Sequence, residues 1–88
     1  MASGEEALTL SNTVDWEGFP SFAKEFTEAC GLDIKSKGDS PEMRIWAVKR
    51  NGVMLNLVFE DYPQQVSLEP KDAGSEIEIR RIYEMLIG

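Results

Sequence analysis

The chain has 88 residues and a formal net charge of −7, with 42% apolar and 28% charged side chains. That length makes one domain with a modest core, burying about 60–65% of the surface its unfolded form exposes, and leaves no room for a second. The negative charge argues against nucleic acid as a partner. No run nears the roughly 18 apolar residues of a membrane span, and the absence of histidine removes the commonest general base and metal ligand.

Residues 1–6 are acidic and lack the basic and apolar regions of a signal peptide, so they read as a disordered tail on a cytoplasmic protein. Residues 7–11 form a short strand candidate with Leu8 and Leu10 on one face, followed by a polar loop at Ser11, Asn12 and Thr13. Trp16, Phe19, Phe22, Ala23, Phe26, Ala29 and Cys30 then recur every three or four residues, the spacing of one helical face. Asp15 is placed to cap a first turn. Pro20 would clash inside a helix begun there, so an irregular turn over residues 16–19 should lead into a regular helix starting near Pro20, with Gly31 as its left-handed C-cap. At helical spacing the aromatic stripe reads as core rather than as a ligand-stacking box. Residues 32–37 follow as a half-exposed strand with Leu32 and Ile34 on one face, and Gly38, Asp39, Ser40 and Pro41 as a turn.

Residues 43–59 carry the strongest local signal, two β-rich runs flanking Asn51-Gly52. A two-residue type I′ turn there sets Arg50 opposite Val53, and the pairs continue outward to Arg44 opposite Phe59. Alternation puts Val48, Leu55, Trp46, Leu57 and Phe59 on one face. The other carries Met43, Ile45, Ala47, Met54 and Val58, interrupted by Lys49, Asn56 and Glu60. The first set is the better core; the second is more apolar than a face meant only for water requires. Residues 60–65 read as a second turn, and residues 65–69 as a strand stopped by Pro70.

The last element is a helix. Ser75 stands three residues before Glu78 as in a capping box, Glu76 and Glu78 suit the positive end of a helix dipole, and Ile79, Ile82, Tyr83 and Leu86 form the inward stripe. Ile77, Met85 and Ile87 broaden that stripe, while Glu78, Arg81 and Glu84 are expected outside. The order β-α-β-β-β-β-α predicts a single α+β domain over residues 1–88, a two-layer sandwich with a mainly antiparallel sheet and two helices on one face. The first strand fits either beside the second or on the far edge. Met43, Ile45, Ala47, Met54 and Val58 then lie on the face without helices, and form the candidate interaction surface.

Catalytic signatures are missing. Cys30 has no imidazole partner, lies on the apolar stripe, and reads as a buried structural thiol; as the single cysteine it excludes an internal disulfide and fits a reducing compartment. Glu60, Asp61 and Glu69 are the best carboxylate group for a hard cation, but adjacent residues on a strand point to opposite faces and the spacing matches no known loop. No glycine-rich phosphate loop is present, and so small a domain offers no cleft deep enough to tune a carboxylate pair. The expectation is a protein that is not an enzyme and takes no metal or cofactor.

The C-terminal half, with the strand at residues 53–62, the short strand at 65–69 and a closing helix, resembles small bacterial proteins of unknown function. That resemblance implies a cytoplasmic accessory protein and carries over no catalytic residue. The reading adopted is a non-catalytic protein-interaction module, self-associating as a homodimer through the helix-free face or an edge strand. An acidic inhibitor or immunity-type protein covering the basic site of a target such as a nuclease is the alternative, motivated by the charge. A small-molecule sensor using Trp16, Trp46 and Tyr62 stands behind both.

Overall fold

The turn at Asn51-Gly52 takes the backbone its residues favour, with φ of 53° and 78°, the left-handed conformations of a type I′ hairpin that glycine and asparagine adopt most readily. Register follows from it. Arg50 pairs with Val53, and the ladder runs without a shift to Met43 opposite Glu60, so every expected cross-strand pair is present.

The structure, a computed structural model, describes residues 7–61, 64–72 and 74–87. The expected tail at residues 1–6 and the sensor candidate Tyr62 lie outside the described residues. Along the chain come β1 (Leu8–Ser11), α1 (Phe19–Cys30), β2 (Asp33–Asp39), β3 (Met43–Arg50), β4 (Val53–Asp61), β5 (Gln64–Pro70) and α2 (Glu76–Ile87). The strands form one antiparallel sheet in the order β1-β5-β4-β3-β2. The first strand therefore takes the far edge. Helix α1 joins the two edge strands, so its connection spans the width of the sheet.

Both helices share one sheet face. Phe19, Ala23 and Cys30 of α1 and Ile79 and Ile82 of α2 belong to one buried cluster with Trp46, Val48, Leu55, Leu57, Phe59, Val66 and Leu68, the inward set that alternation predicts. Leu8 and Leu10 pack against it from the edge. Phe19 meets Trp46 edge-on at 4.8 Å between ring centroids. The stripe of α1 is otherwise narrower than expected: Trp16, Phe22 and Phe26 are half-buried and Ala29 is exposed, while Thr27 is buried. Its hydroxyl donates to the carbonyls of Ala23 at 2.8 Å and Lys24 at 3.1 Å, which satisfies the polar atom inside the helix's own backbone.

The ends of α1 obey the local chemistry. Asp15 Oδ1 accepts from the Gly18 N–H at 2.7 Å and its carbonyl accepts from the Phe19 N–H at 3.0 Å, closing the irregular turn before the helix. Gly31 has φ 69° and its N–H reaches the Thr27 carbonyl, the left-handed stop that a glycine permits.

Several boundaries differ from expectation. β2 continues through Gly38 and Asp39, both expected in a turn, because a bulge between Ile34 and Ser36 inserts Lys35 and restores pairing up to Asp39 opposite Arg44. Glu60, Asp61 and Gln64, expected in a turn, are strand residues paired across β4 and β5, and Gln65, where the expected turn and strand meet, is strand. Pro70 belongs to β5, beyond the last residue of β5 that pairs with β1, where its missing N–H deprives no neighbour.

Helix α2 departs furthest. Ser75 Oγ does not cap Glu78 but turns back, accepting from the Lys71 and Asp72 N–H groups at 3.1 and 3.3 Å and donating to the Asp72 carbonyl at 2.6 Å. Glu78, expected outside, is buried at 2% exposure. Tyr83 and Leu86, expected inside, are exposed, as are the flanking Ile77, Met85 and Ile87. The stripe meets the core at Ile79 and Ile82, and the large apolar side chains of the last turn stay exposed.

Replacing Leu57, fully buried at the centre of the inward face, by Ala should lower stability by about 2–5 kcal/mol. The same truncation at Ile45 should cost under about 1 kcal/mol. Urea unfolding of the two variants checks both values.

Candidate functional site

Three groups of side chains stand out from the sheet and helices: the helix-free face, two arginine-centred clusters on the helix side, and the outer surface of α2.

The helix-free face holds the five residues singled out from sequence, and alternation does bring them together. Ile45 pairs with Val58, and Ala47 lies opposite Asn56 in the same ladder. Their exposure is uneven. Ile45 is 43% exposed, Met43 and Met54 are half-buried, and Ala47 and Val58 fall to 9% and 4%. Short side chains in the middle of a pleated face are shaded by longer neighbours in adjacent rows, which is why two of the five are covered without any helix above them. Around them stand Lys49, Asn56, Glu60, Ser67 and Glu69, with the Ser67 hydroxyl donating to Glu69 Oε2 at 3.3 Å.

At one end of the inward face, Arg44 lies with its guanidinium carbon 3.9 Å from the centroid of Trp16. Asp39 accepts a hydrogen bond from Trp46 Nε1 at 3.0 Å and stands 3.9 Å from Arg44 Nε, while Lys37 Nζ sits 4.8 Å from the Trp46 centroid. The side chain of Arg44 is 12% exposed, and its Nε is buried without a hydrogen-bond acceptor among the described residues. Ring faces, with the carboxylate behind, hold the cation. Trp16 and Trp46, considered for a sensor pocket, are thus occupied by side chains of their own chain.

At the other end, Arg50 organises a second cluster. Its Nη1 donates to Glu78 Oε2, its Nε to the Cys30 carbonyl at 2.8 Å, and its Nη2 to Met85 Sδ at 3.2 Å. Asn51 Nδ2 donates to the same Glu78 oxygen at 3.1 Å, and Arg81 Nη1 lies 3.4 Å from Oε1. Glu78 is therefore a buried carboxylate with each oxygen paired, the arrangement that burial of a charge demands. Its spacing held the signal, since Glu78 precedes Ile82 by four residues and so shares the inward stripe. Burial pushes the Cys30 thiol above its ordinary value, with the charge of Arg50 pulling the other way. Among the described residues no three of His, Cys, Asp or Glu gather closely enough to hold a metal ion, and no helix is long and apolar enough to cross a membrane.

The outer surface of α2 was not singled out from the sequence. Of the six large apolar side chains exposed among the described residues, five belong to this helix: Ile77, Tyr83, Met85, Leu86 and Ile87, with Leu86 in line with the inward Ile79 and Ile82. Each was assigned to the buried stripe or its borders, because spacing gives the angle of a residue about the helix and not how far along the helix the core extends.

Removing one partner of the buried pair should be costly. Arg50→Ala should destabilise by about 3–5 kcal/mol, whereas the joint change Arg50→Met with Glu78→Leu should recover most of that loss, because no charge is then stranded; chemical denaturation of the single and double variants measures the difference. Cys30, at 2% exposure, should react with a thiol reagent at neutral pH only in step with unfolding. Labelling rates across a urea series report this directly.

Comparison with known proteins completes the description. The chain belongs to the family described as protein of unknown function (DUF3630), whose family model matches residues 1–84, a span that takes in the N-terminal strand and helix as well as the C-terminal half. Neither a curated protein nor a solved structure matches it.

Proposed function

We propose that this member of the family is a small cytoplasmic, non-catalytic protein-interaction module whose contact surface is the exposed surface of α2. The concentration of exposed apolar side chains on that one helix carries the reading, since soluble domains seldom expose so many large apolar residues on one element unless something covers them. The same helix is fixed at its first turn by Glu78 to Arg50 and Asn51. A surface held in place in this way loses little conformational freedom on binding. The helix-free sheet face offers less, with Ile45 its one strongly exposed apolar residue among the five considered.

The acidic-inhibitor reading draws on net charge alone. It needs carboxylates gathered on one surface, and here Glu25 and Glu28 lie on α1, Glu60 and Glu69 on the sheet, and Glu76 and Glu84 on α2, interleaved with Lys24, Lys49, Arg80 and Arg81.

Affinity capture from the native cell tests the module. The wild-type chain should retain specific protein, a second copy of itself included, and Ile77→Lys with Leu86→Lys should lose it while Ile45→Glu keeps it. A chain that retains nothing beyond the matrix control, and that remains monomeric, would show that the surface serves no partner. Equal retention by all variants would move the contact away from α2.

A further inference from the structure

We propose that Asn51 is a site of spontaneous covalent modification, deamidation by water, and that the product loosens the seat of α2 by setting a new carboxylate against Glu78. The chemistry starts from the dipeptide. Of the three asparagines in the chain, Asn12 and Asn56 precede Thr13 and Leu57, whose side chains shield the next backbone nitrogen, whereas Asn51 precedes Gly52. Glycine leaves that nitrogen uncovered. Both turn residues are exposed, and among the described residues nothing lies within 4 Å of the place that a Gly52 side chain would fill. The Gly52 N–H also falls between the paired Arg50 and Val53, so no strand pairing opposes its use.

The steps balance without oxidant or cofactor. The Gly52 nitrogen bonds to the side-chain carbonyl carbon of Asn51, the bond from that carbon to Nδ2 breaks, and Nδ2 leaves as ammonia with the proton that Gly52 gives up. Water then opens the cyclic imide at either carbonyl. One opening leaves aspartate; the other leaves isoaspartate, in which the main chain runs through the side chain and is one carbon longer.

The consequence lies in what the amide holds. Asn51 Nδ2 donates to Glu78 Oε2 at 3.1 Å, and the same oxygen accepts from Arg50 Nη1, in the first turn of α2. Either product replaces a donor by an acceptor. Glu78, 2% exposed, then loses one hydrogen bond and faces a like charge, leaving Arg50 and Arg81 to offset two carboxylates. Isoaspartate adds a second effect, because a two-residue type I′ turn has no room for an extra main-chain atom and the pairing of Arg50 with Val53 must give way. The hold works in reverse as well. An amide engaged by a carboxylate, on the left-handed backbone of the turn, resists the rotation that attack requires, so folding slows the reaction without stopping it.

Wild type incubated in warm, mildly alkaline buffer, folded or in urea, is digested, and its peptides are resolved into asparagine, aspartate and isoaspartate forms by chromatography and mass. Deamidation should appear at Asn51 while Asn12 and Asn56 stay intact, and should run about tenfold faster in urea, the effect of releasing a hydrogen bond to a charged group. The modified protein, separated by its added charge, should fold with an equilibrium constant at least about tenfold lower, and its α2 amides should exchange hydrogen faster. Asn51→Asp should reproduce that loss. Asn51→Gly, which suits the turn and adds no charge, should lose less, and in a Glu78→Gln background Asn51→Asp should cost under about threefold.

Reaction at Asn51 that is absent from the folded chain, or no faster than at Asn12, overturns the site. Equal rates in buffer and in urea remove the protective part of the Glu78 contact. Modified protein or an Asn51→Asp variant as stable as wild type, or a loss undiminished by Glu78→Gln, overturns the link to α2.

Discussion

The Arg50 guanidinium reaches the last carbonyl of α1, the buried carboxylate in the first turn of α2 and a methionine sulfur in its last turn, all from the residue just before the hairpin turn. Its position is a consequence of register. Because Asn51 and Gly52 adopt the left-handed backbone of a two-residue turn, Arg50 falls on the helix side of the sheet together with Val48 and Trp46. A slip of one residue would carry Arg50 to the opposite face and leave the buried Glu78 with only the exposed Arg81 of its own helix to offset its charge. The favourable end charges of two helix dipoles meet at the same place, a cation at the C-terminus of α1 and an anion at the N-terminus of α2. One local turn thus sets both the sheet ladder and the seating of the layer above it.

What could be read from the sequence follows from this. The hairpin pairs, the two-faced division of β3 and β4, the order of elements and the glycine stop at Gly31 all depend on neighbours within a few residues, and each is observed. Glu78 was misplaced because its partner stands 28 residues away, and charge alone argued for the surface. The capping box failed for the same cause, since the carboxylate that would have turned back to Ser75 is drawn to Arg50. Gly38 and Asp39 were given to a turn because the bulge at Lys35, which carries no glycine or proline to mark it, renews the pairing beyond it. Tyr83 and Leu86 were misjudged through the finite extent of the core, a property of the whole molecule rather than of the helix.

The two surfaces weighed for interaction differ in kind. On the sheet, Ala47 and Val58 are covered by their own neighbours, and the apolar excess legible in the sequence is largely spent within the face. On α2 the excess remains outside, because a helix held by one buried ion pair and two isoleucines turns most of its circumference outward. The family match over residues 1–84 includes α2 through Glu84.

The bulges in the sheet bear on a separate matter. Both interrupted strands, β1 between Thr9 and Ser11 and β2 between Ile34 and Ser36, are the outermost of the sheet. Each bulge breaks the even comb of N–H and C=O groups that an incoming strand would need, and Lys35 adds a charge to one of them. The molecule is thereby guarded against end-on growth into fibrils at both margins.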